Sequence, residues 1–99
     1  MRAMKIDPEN LTVVHNREGE RFEIKVDSHL AELKYRLLGG TIIFTHTGVP
    51  PALEGQGVGS TLARSGLEYA RESGLRVRAD CSFVAVYLKR HPEYQDLTR

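Results

Sequence analysis

The sequence contains one cysteine, no tryptophan, no excess of either charge and no long apolar run. The single cysteine, Cys81, has no partner for an intramolecular disulfide, which is typical of a reducing compartment and predicts a cytoplasmic protein. With 14 basic and 13 acidic residues, the chain lacks the basic surplus of dedicated nucleic-acid binders. Its apolar runs are too short to span a bilayer, so no membrane association is expected. A length of 99 residues suits one domain over residues 1–99.

The first half of the chain has the patterns of β-strands. Phe22, Ile24 and Val26 alternate with charged residues, which predicts an antiparallel strand with one covered face. The four predicted strands are residues 11–16, 21–27, 31–40 and 41–47, and Gly39-Gly40 marks a hairpin turn. The last of these is more uniformly apolar, so we expect a central strand covered on both faces. Short turns between the strands favour a meander.

The second half changes its hydrophobic period. From Ser60, apolar residues recur at helical spacing up to a stop signal at Ser73-Gly74. Residues 75–80 alternate as a fifth strand, and residues 82–90 predict a short second helix that ends before Pro92. Because a strand-helix-strand connection returns parallel, the prediction is an α+β fold with a mixed sheet.

The segment between strand four and the first helix, VPPALEGQGVGSTL, carries three alternating glycines. Gly55, Gly57 and Gly59 allow the loop to curl so that several backbone N–H groups converge at the start of a helix, where the helix dipole also favours an anion. Ser60 and Thr61 add hydroxyl groups, and a diphosphate suits such a site. The lysine of a Walker A loop is missing and the spacing differs from GxGxxG. A flexible glycine-rich turn without a ligand is the alternative interpretation.

This arrangement resembles the GNAT superfamily of acyl-CoA N-acyltransferases, whose signature is Gln/Arg-x-x-Gly-x-Gly/Ala. The core of that signature lies at 56–60, with Glu54 at its first position. Three further motifs are similar to a small stand-alone branch, the YjdJ-like or NATD-like acetyltransferases: HTGVP at 46–50, CSFV at 81–84 and HPEY at 91–94. The resemblance covers about residues 10–97.

The resemblance implies that acetyl-CoA is the co-substrate. The strand before the loop would diverge from the next strand, and the pantetheine arm would add to it near Val49, where Pro50 and Pro51 end strand pairing. The diphosphate would bind backbone amides of the glycine loop. The implied cofactor-binding residues are Val49, Gly55, Gln56, Gly57, Val58, Gly59, Ser60 and Thr61.

Three side chains are candidates for catalysis, each with a structural alternative. Cys81 follows the fifth strand, near the acyl end of the co-substrate in the family fold; it is a neighbour of the thioester, an acyl carrier or a small buried hydrophobe. Tyr87 is suited to protonating the leaving thiolate, or it packs in the core. His46 could accept the amine proton, or it is structural, and Gly48 stands where many members of the branch have an acidic residue. His91 and Tyr94 are interpreted as a structural closing turn. No metal-ligand spacing is present.

The sequence therefore predicts an acetyl-CoA-dependent N-acetyltransferase in which a primary amine attacks the thioester directly in a ternary complex. Its partners would be acetyl-CoA and an amine acceptor, with no nucleic acid and no membrane, in a monomer or a small homo-oligomer. The alternative is a module of the same fold that binds acyl-CoA or another protein without turnover. Gly48 and Glu54, which replace residues typical of the family, keep that alternative open.

Overall fold

A computed structural model describes residue 7 and residues 10–99 of the chain. The strands are β1 (Val13–Asn16), β2 (Arg21–Val26), β3 (His29–Leu38), β4 (Thr41–Gly48) and β5 (Arg76–Ala79). The helices are α1 (Val58–Glu72) and α2 (Ser82–Arg90), with 3₁₀ segments at Pro51–Leu53 and Pro92–Thr98. No helix among the described residues is long and apolar enough to cross a bilayer.

The strands form one mixed sheet in the order β1-β2-β3-β4-β5. The first four are antiparallel neighbours joined by short turns, and β5 lies parallel to β4 after the crossover through α1. Both features confirm the predicted meander and mixed α+β sheet. The parallel return follows from the connection, because a helix must carry the chain back across the face of the sheet before β5 begins.

The core lies between one face of the sheet and the helices. The register places Phe22, Leu33 and Phe44 on the same face, and all three are buried with Leu62 and Leu67 of α1. Gly66 allows α1 to lie close to this face, because a Cβ there would come within 2.7 Å of the Phe44 ring. The helix is thus held against the sheet by ring-to-backbone contact.

No helix of the described part of the chain covers the opposite face of the sheet, which we call the outer face. The prediction that β4 is buried on both faces is wrong, because Ile43 is only half-buried and His46 is exposed. The apolar residues of β4 instead reflect its central position between β3 and β5. Charged residues of β2 and β3, such as Glu23 and Lys34, occupy the same outer face and form ion pairs there.

Strands β4 and β5 separate after only four paired residues, as the family resemblance implied. Their register ends at Phe44 opposite Ala79, and the Phe44 carbonyl accepts the N–H groups of both Asp80 and Cys81 at 3.0 Å. On the other side of β4, a register shift makes Thr45 an extra residue against β3. Beyond this bulge β4 runs to Gly48 paired with β3 alone, so one edge of its backbone is open.

The end of the chain contacts β5 and both helices, which agrees with a closing turn that packs the C-terminus onto the sheet. The buried Tyr94 hydroxyl donates to Glu68 of α1 at 2.6 Å. Arg71 of α1 donates to both carboxylate oxygens of Asp96 at 3.0 Å, and its guanidinium lies 5.7 Å from the centre of the Tyr94 ring. The Nδ1 atom of His91 lies 2.8 Å from the Tyr87 carbonyl oxygen, which ties this histidine to the last turn of α2.

Candidate functional site

A cavity of about 580 Å³ opens where the free edge of β4 meets the start of α1. Its walls are the end of β4, the glycine loop, the first turn of α1 and one ring from α2. The lining residues are Thr47, Gly48, Val49, Leu53, Glu54, Gly55, Gly57, Val58, Gly59, Ser60 and Phe83. The two sequence features that suggested a site, the strand end and the glycine loop, therefore share one cavity.

The glycine loop presents backbone amides to this cavity. Gly55 and Gly57 have φ of 75° and 80°, a region that favours glycine, and Gly57 is the N-cap of α1. The amides of Gly57, Val58, Gly59 and Ser60 precede the first intrahelical bond and have no backbone acceptor among the described residues. Such a helix start binds anions through these N–H groups and through the helix dipole.

Fewer backbone amides of the glycine loop are available to a ligand than the sequence predicted. The Thr61 N–H already donates to the Gly57 carbonyl at 3.0 Å, and the Thr61 hydroxyl donates to the same oxygen at 2.9 Å. Thr61 therefore fixes the first turn of α1 and offers no free N–H to a ligand. The side chain of Gln56 donates to the Ala52 carbonyl at 3.4 Å, and neither Gln56 nor Thr61 lines the cavity.

Glycine is needed at position 59 for a different reason than at positions 55 and 57. Gly59 is buried in the first turn of α1, and a Cβ there would lie 2.7 Å from Cζ of Phe83. That distance is shorter than any real Cβ contact, so glycine allows the Phe83 ring to pack on the helix backbone. The alternating glycines thus combine a left-handed loop with a close approach between α1 and α2.

Cys81 lies against the wall of the cavity. It is the N-cap residue of α2 and is 9% exposed. Its Sγ is 3.1 Å from Oγ1 of Thr47, a residue that lines the cavity. The pair bridges the gap between the diverging strands, since Thr47 is on the open part of β4 and Cys81 follows β5. The structure therefore brings the predicted Cys81 next to the predicted path of the pantetheine arm.

Tyr87 occupies a neighbouring depression. It is buried, and its ring stacks on His91 with centroids 3.8 Å apart. Burial raises the pKa of the Tyr87 phenol, so the group stays protonated at neutral pH. It borders Ser60 and Arg64 but does not line the cavity that Thr47 lines. Its hydroxyl has no hydrogen-bond partner within the described part of the chain.

His46 is on the other side of β4. The register pairs it with Lys34, its side chain is exposed, and it does not line the cavity. Among the described residues that line the cavity, Glu54 is the one with an acidic side chain, and it is exposed. No group of three metal-ligating side chains occurs over residues 7 and 10–99. Of the three predicted catalytic residues, Cys81 forms a side-chain hydrogen bond with a lining residue, Thr47.

Three lining residues, Thr47, Leu53 and Phe83, received no role from the sequence. Thr47 lies within the HTGVP motif, but which face of β4 it occupies depends on the bulge at Thr45, and no local pattern marks a bulge. Phe83 lies within the CSFV motif and is 39% exposed, so helical periodicity alone leaves it on a solvent face. Its contact with Gly59 could have been suspected from the second glycine of the family signature.

Comparison with known proteins agrees with this geometry. A family model described as GCN5-related N-acetyl-transferase matches residues 21–97. The protein NATD1 of Xenopus tropicalis is 30% identical over 98 residues, which cover 95% of this chain and 90% of that protein. The human NATD1 is 30% identical over 92 residues, which cover 90% and 81%. The NMR structure of a GCN5-like protein from Staphylococcus aureus superposes with a TM-score of 0.71 at 38% identity, covering 89% of this chain and 87% of that one.

Proposed function

The chain belongs to the GCN5-related N-acetyltransferase family, and on that premise we propose that it transfers an acetyl group from acetyl-CoA to a primary amine. The observation that carries the proposal is the shared cavity, in which an open strand edge leads directly to a helix start whose N–H groups are suited to an anion. An extended amide-bearing arm and a diphosphate are parts of one molecule in coenzyme A. The two halves of the cavity match these two parts in order.

The diphosphate end would be held by the start of α1. The N–H groups of Gly57, Val58, Gly59 and Ser60 have no backbone acceptor among residues 7 and 10–99, so binding a phosphate breaks no hydrogen bond with those residues. The Ser60 hydroxyl adds a donor at the same rim. Arg64 follows one turn later on α1 and borders the same depression as Ser60, so its charge also favours a phosphate nearby.

The acyl arm would lie along β4. Backbone N–H and C=O groups from Thr45 to Gly48 have no β5 partner, and an extended ligand can pair with such an edge as an added strand does. Pro50 and Pro51 have no N–H to donate, so pairing ends where the loop must turn toward α1. The acyl end then reaches Thr47 and its neighbour Cys81.

The reaction proposed is direct transfer in a ternary complex. The amine nitrogen attacks the thioester carbon, the carbon–sulfur bond breaks, and the amine proton leaves to a base or to solvent. Thr47 and Cys81 border the sulfur side, where a donated hydrogen bond stabilises a leaving thiolate. Tyr87, whose burial keeps it protonated, is the candidate acid, although it borders Ser60 near the proposed diphosphate end and does not line the cavity beside Thr47. His46 is the candidate base on the outer face.

The test is release of free thiol from acetyl-CoA in the presence of a panel of primary amines. The proposal expects amine-dependent thiol release above the hydrolysis background for at least one amine. Coenzyme A binding is measured separately by calorimetry. No heat at millimolar ligand, or no thiol release with any amine, would contradict the proposal.

A matched pair of glycine variants isolates the loop. Gly57 and Gly74 both have positive φ, at 80° and 69°, and they sit at opposite ends of α1. Alanine at either position costs about 1 kcal/mol of folding stability through backbone strain. We expect Gly57→Ala to weaken coenzyme A binding at least tenfold and Gly74→Ala to leave it unchanged. Equal binding by both variants would show that the loop conformation is not required.

A second function, binding of acyl-CoA without turnover, is favoured by one observation. The cavity has Glu54 as its one acidic side chain and no histidine among its described lining residues, so a base for the amine is not built into it. The two functions differ in one result. Coenzyme A heat without thiol release across the whole amine panel would establish the binding module.

A further inference from the structure

The outer face of the sheet has a corner that is rich in arginine. The register of β3, β4 and β5 places the outer-face residues in two adjacent cross-strand rows, and these are Arg36, Ile43 and Arg78 in one row and Leu38, Thr41 and Arg76 in the other. The arginine corner is defined here as Arg36, Leu38, Ile43, Arg76 and Arg78. The three guanidinium groups are all exposed, and Leu38 is 69% exposed.

The described residues balance the charge of this corner only in part. Arg36 and Arg76 have no ion pair with any described residue, and Arg78 pairs with Asp80 at 2.9 Å in an exposed contact. Elsewhere on the same face Arg21 and Lys34 are balanced by the carboxylates of Glu23 and Glu32, with which they form ion pairs. Because the whole chain has a net charge of only +1, a corner with two unpaired arginines is a local feature rather than an overall one.

The corner borders the opening between β4 and β5. The row formed by Arg36, Ile43 and Arg78 lies nearer to this opening. Ile43 and Arg78 immediately precede Phe44 and Ala79, which are the last pair before the strands separate. One residue of strand is about 3.3 Å, so the row lies within a side chain's length of the gap. A lysine side chain bound beside this row can reach the gap from the outer face, opposite the helices.

We propose that the arginine corner binds an acidic segment of a peptide or protein and presents a lysine of that segment as the acetyl acceptor. The inference rests on the proposed function and names its substrate class. Guanidinium groups bind carboxylates in paired hydrogen bonds, and Leu38 and Ile43 supply apolar contact between them. Exposed arginines spaced along two rows suit an extended segment with carboxylates on both sides of the lysine.

A nucleic acid is the other polyanion that arginines recognise, and the corner is less suited to it. Single-stranded nucleic acids bind through aromatic side chains that stack on bases. None of the six residues in the two rows is aromatic. A phosphate backbone also carries no primary amine for the proposed reaction.

The experiment compares three lysine peptides of equal length with the wild-type protein and acetyl-CoA. The lysine is flanked on each side by two acidic residues, by two serines or by two arginines. We expect kcat/KM for the acidic peptide to exceed that for the serine peptide about tenfold at low salt, the sum of several surface charge contacts. The advantage should shrink at high salt because exposed charges are screened.

Charge-reversal variants locate the effect. Arg36→Glu and Arg76→Glu should each remove most of the preference for the acidic peptide while thiol release with a small neutral amine stays at the wild-type rate. Lys25→Glu is the matched control. Lys25 is an exposed cation on the outer face of the sheet, but it is on β2, away from β5. This variant should keep the preference. An unchanged preference in the two arginine variants would overturn the proposal, as would equal rates with the acidic and serine peptides.

Peptide binding is also followed without turnover, by NMR shift changes in the protein with coenzyme A present. Shifts at Arg36, Leu38 and Arg76 with the acidic peptide support binding at the arginine corner. If these shifts occur but no amine is acetylated, the proposed function fails and only the peptide-binding part of the inference stands. Shifts elsewhere, or tighter binding of a single-stranded oligonucleotide than of the acidic peptide at the corner, would overturn it.

Discussion

The hydroxyl oxygen of Thr47 lies 3.1 Å from the sulfur of Cys81, although the two residues are 34 positions apart in the chain. One residue belongs to the open edge of β4 and the other follows β5, so the contact spans the gap between the two strands. Thr47 also lines the cavity. The pair therefore joins the side of the cavity that would hold the thioester to the start of α2.

The first prediction concerns this hydroxyl. Thr47→Val keeps the shape of the side chain and removes the hydrogen bond, while Thr47→Ser keeps the hydroxyl. We expect the valine variant to lose about fivefold to tenfold in kcat/KM, which corresponds to about 1 kcal/mol for one hydrogen bond, and the serine variant to retain most of the activity. Thiol release measures both, and thermal unfolding checks that folding is intact. Wild-type activity in the valine variant would remove Thr47 from the chemistry.

The second prediction separates a neighbouring thiol from an acyl carrier. If the amine attacks the thioester directly, Cys81→Ala retains thiol release within about tenfold of the wild type, since only one side-chain contact is lost. Intact-protein mass spectrometry of the wild type with acetyl-CoA and no amine should then show no acetylated enzyme. Complete loss of turnover with coenzyme A affinity unchanged would instead assign the thiol a covalent role.

The third prediction tests the contact between α1 and α2. Gly59→Ala places a Cβ against the Phe83 ring at 2.7 Å, and we expect it to destabilise the protein by about 1–3 kcal/mol, as overpacking does. In the background of Phe83→Ala the same change should cost less than half as much, because the obstacle is gone. Urea denaturation of the four proteins gives the coupling.

Gly66→Ala is the matched comparison for this cycle. Its Cβ would come within 2.7 Å of the Phe44 ring, and Phe44 is fully buried whereas Phe83 is 39% exposed. A buried ring has no space into which to move, so Gly66→Ala should destabilise more than Gly59→Ala. Equal costs would mean that the Phe83 ring is held as firmly as the core.

The fourth prediction concerns pH. His15 stacks on Phe22 with centroids 4.1 Å apart, and its Nε2 lies 2.7 Å from the Tyr35 hydroxyl oxygen. Burial, and then the charge of Arg17, lower the pKa of His15 below 6.5. The unfolded chain therefore binds the proton more readily, so this contribution to stability is complete above pH 6.5 and is lost as the pH falls toward the folded-state pKa.

The corresponding measurement is the melting temperature between about pH 7.5 and about pH 5.5, the range in which histidine titrates. The wild type should lose stability toward the acidic end, and His15→Gln should lose less over the same range. His29→Gln, which changes a histidine at the start of β3, is the control and should follow the wild type. Parallel curves for all three proteins would show that His15 is not responsible.

Much of the fold was predictable because its signals are local. The alternation of Phe22, Ile24 and Val26 predicted β2, and the glycine at position 74 marked the end of α1 at Glu72. The start of α1 was predicted two residues late, at Ser60 instead of Val58. The reason is that Gly57 and Gly59 have little helix preference of their own, while Phe83 holds the first turn in place from another element.

For the candidate site, too, features with a local signal could be predicted and features set by distant contacts could not. The glycine loop was found from its residues. Within the described part of the chain, four of its amides have no backbone acceptor, whereas the Thr61 N–H, which was predicted to bind the diphosphate, donates to the Gly57 carbonyl. The positions of His46 and Thr47 could not be assigned to a face, because the bulge at Thr45 resets the alternation of β4. Only pairing with β3 shows where that extra residue lies.

The sequence by itself determined the order of strands and helices, the glycine loop and the family resemblance, since each depends on residues close together in the chain. The tertiary structure decided the gap between β4 and β5, the contact of Thr47 with Cys81, the ring of Phe83 on Gly59 and the uncovered outer face with its arginines. The physical reason is that these features arise from the register between strands and from packing between distant elements. A hydrophobic period records which residues avoid water, but not which neighbours they meet.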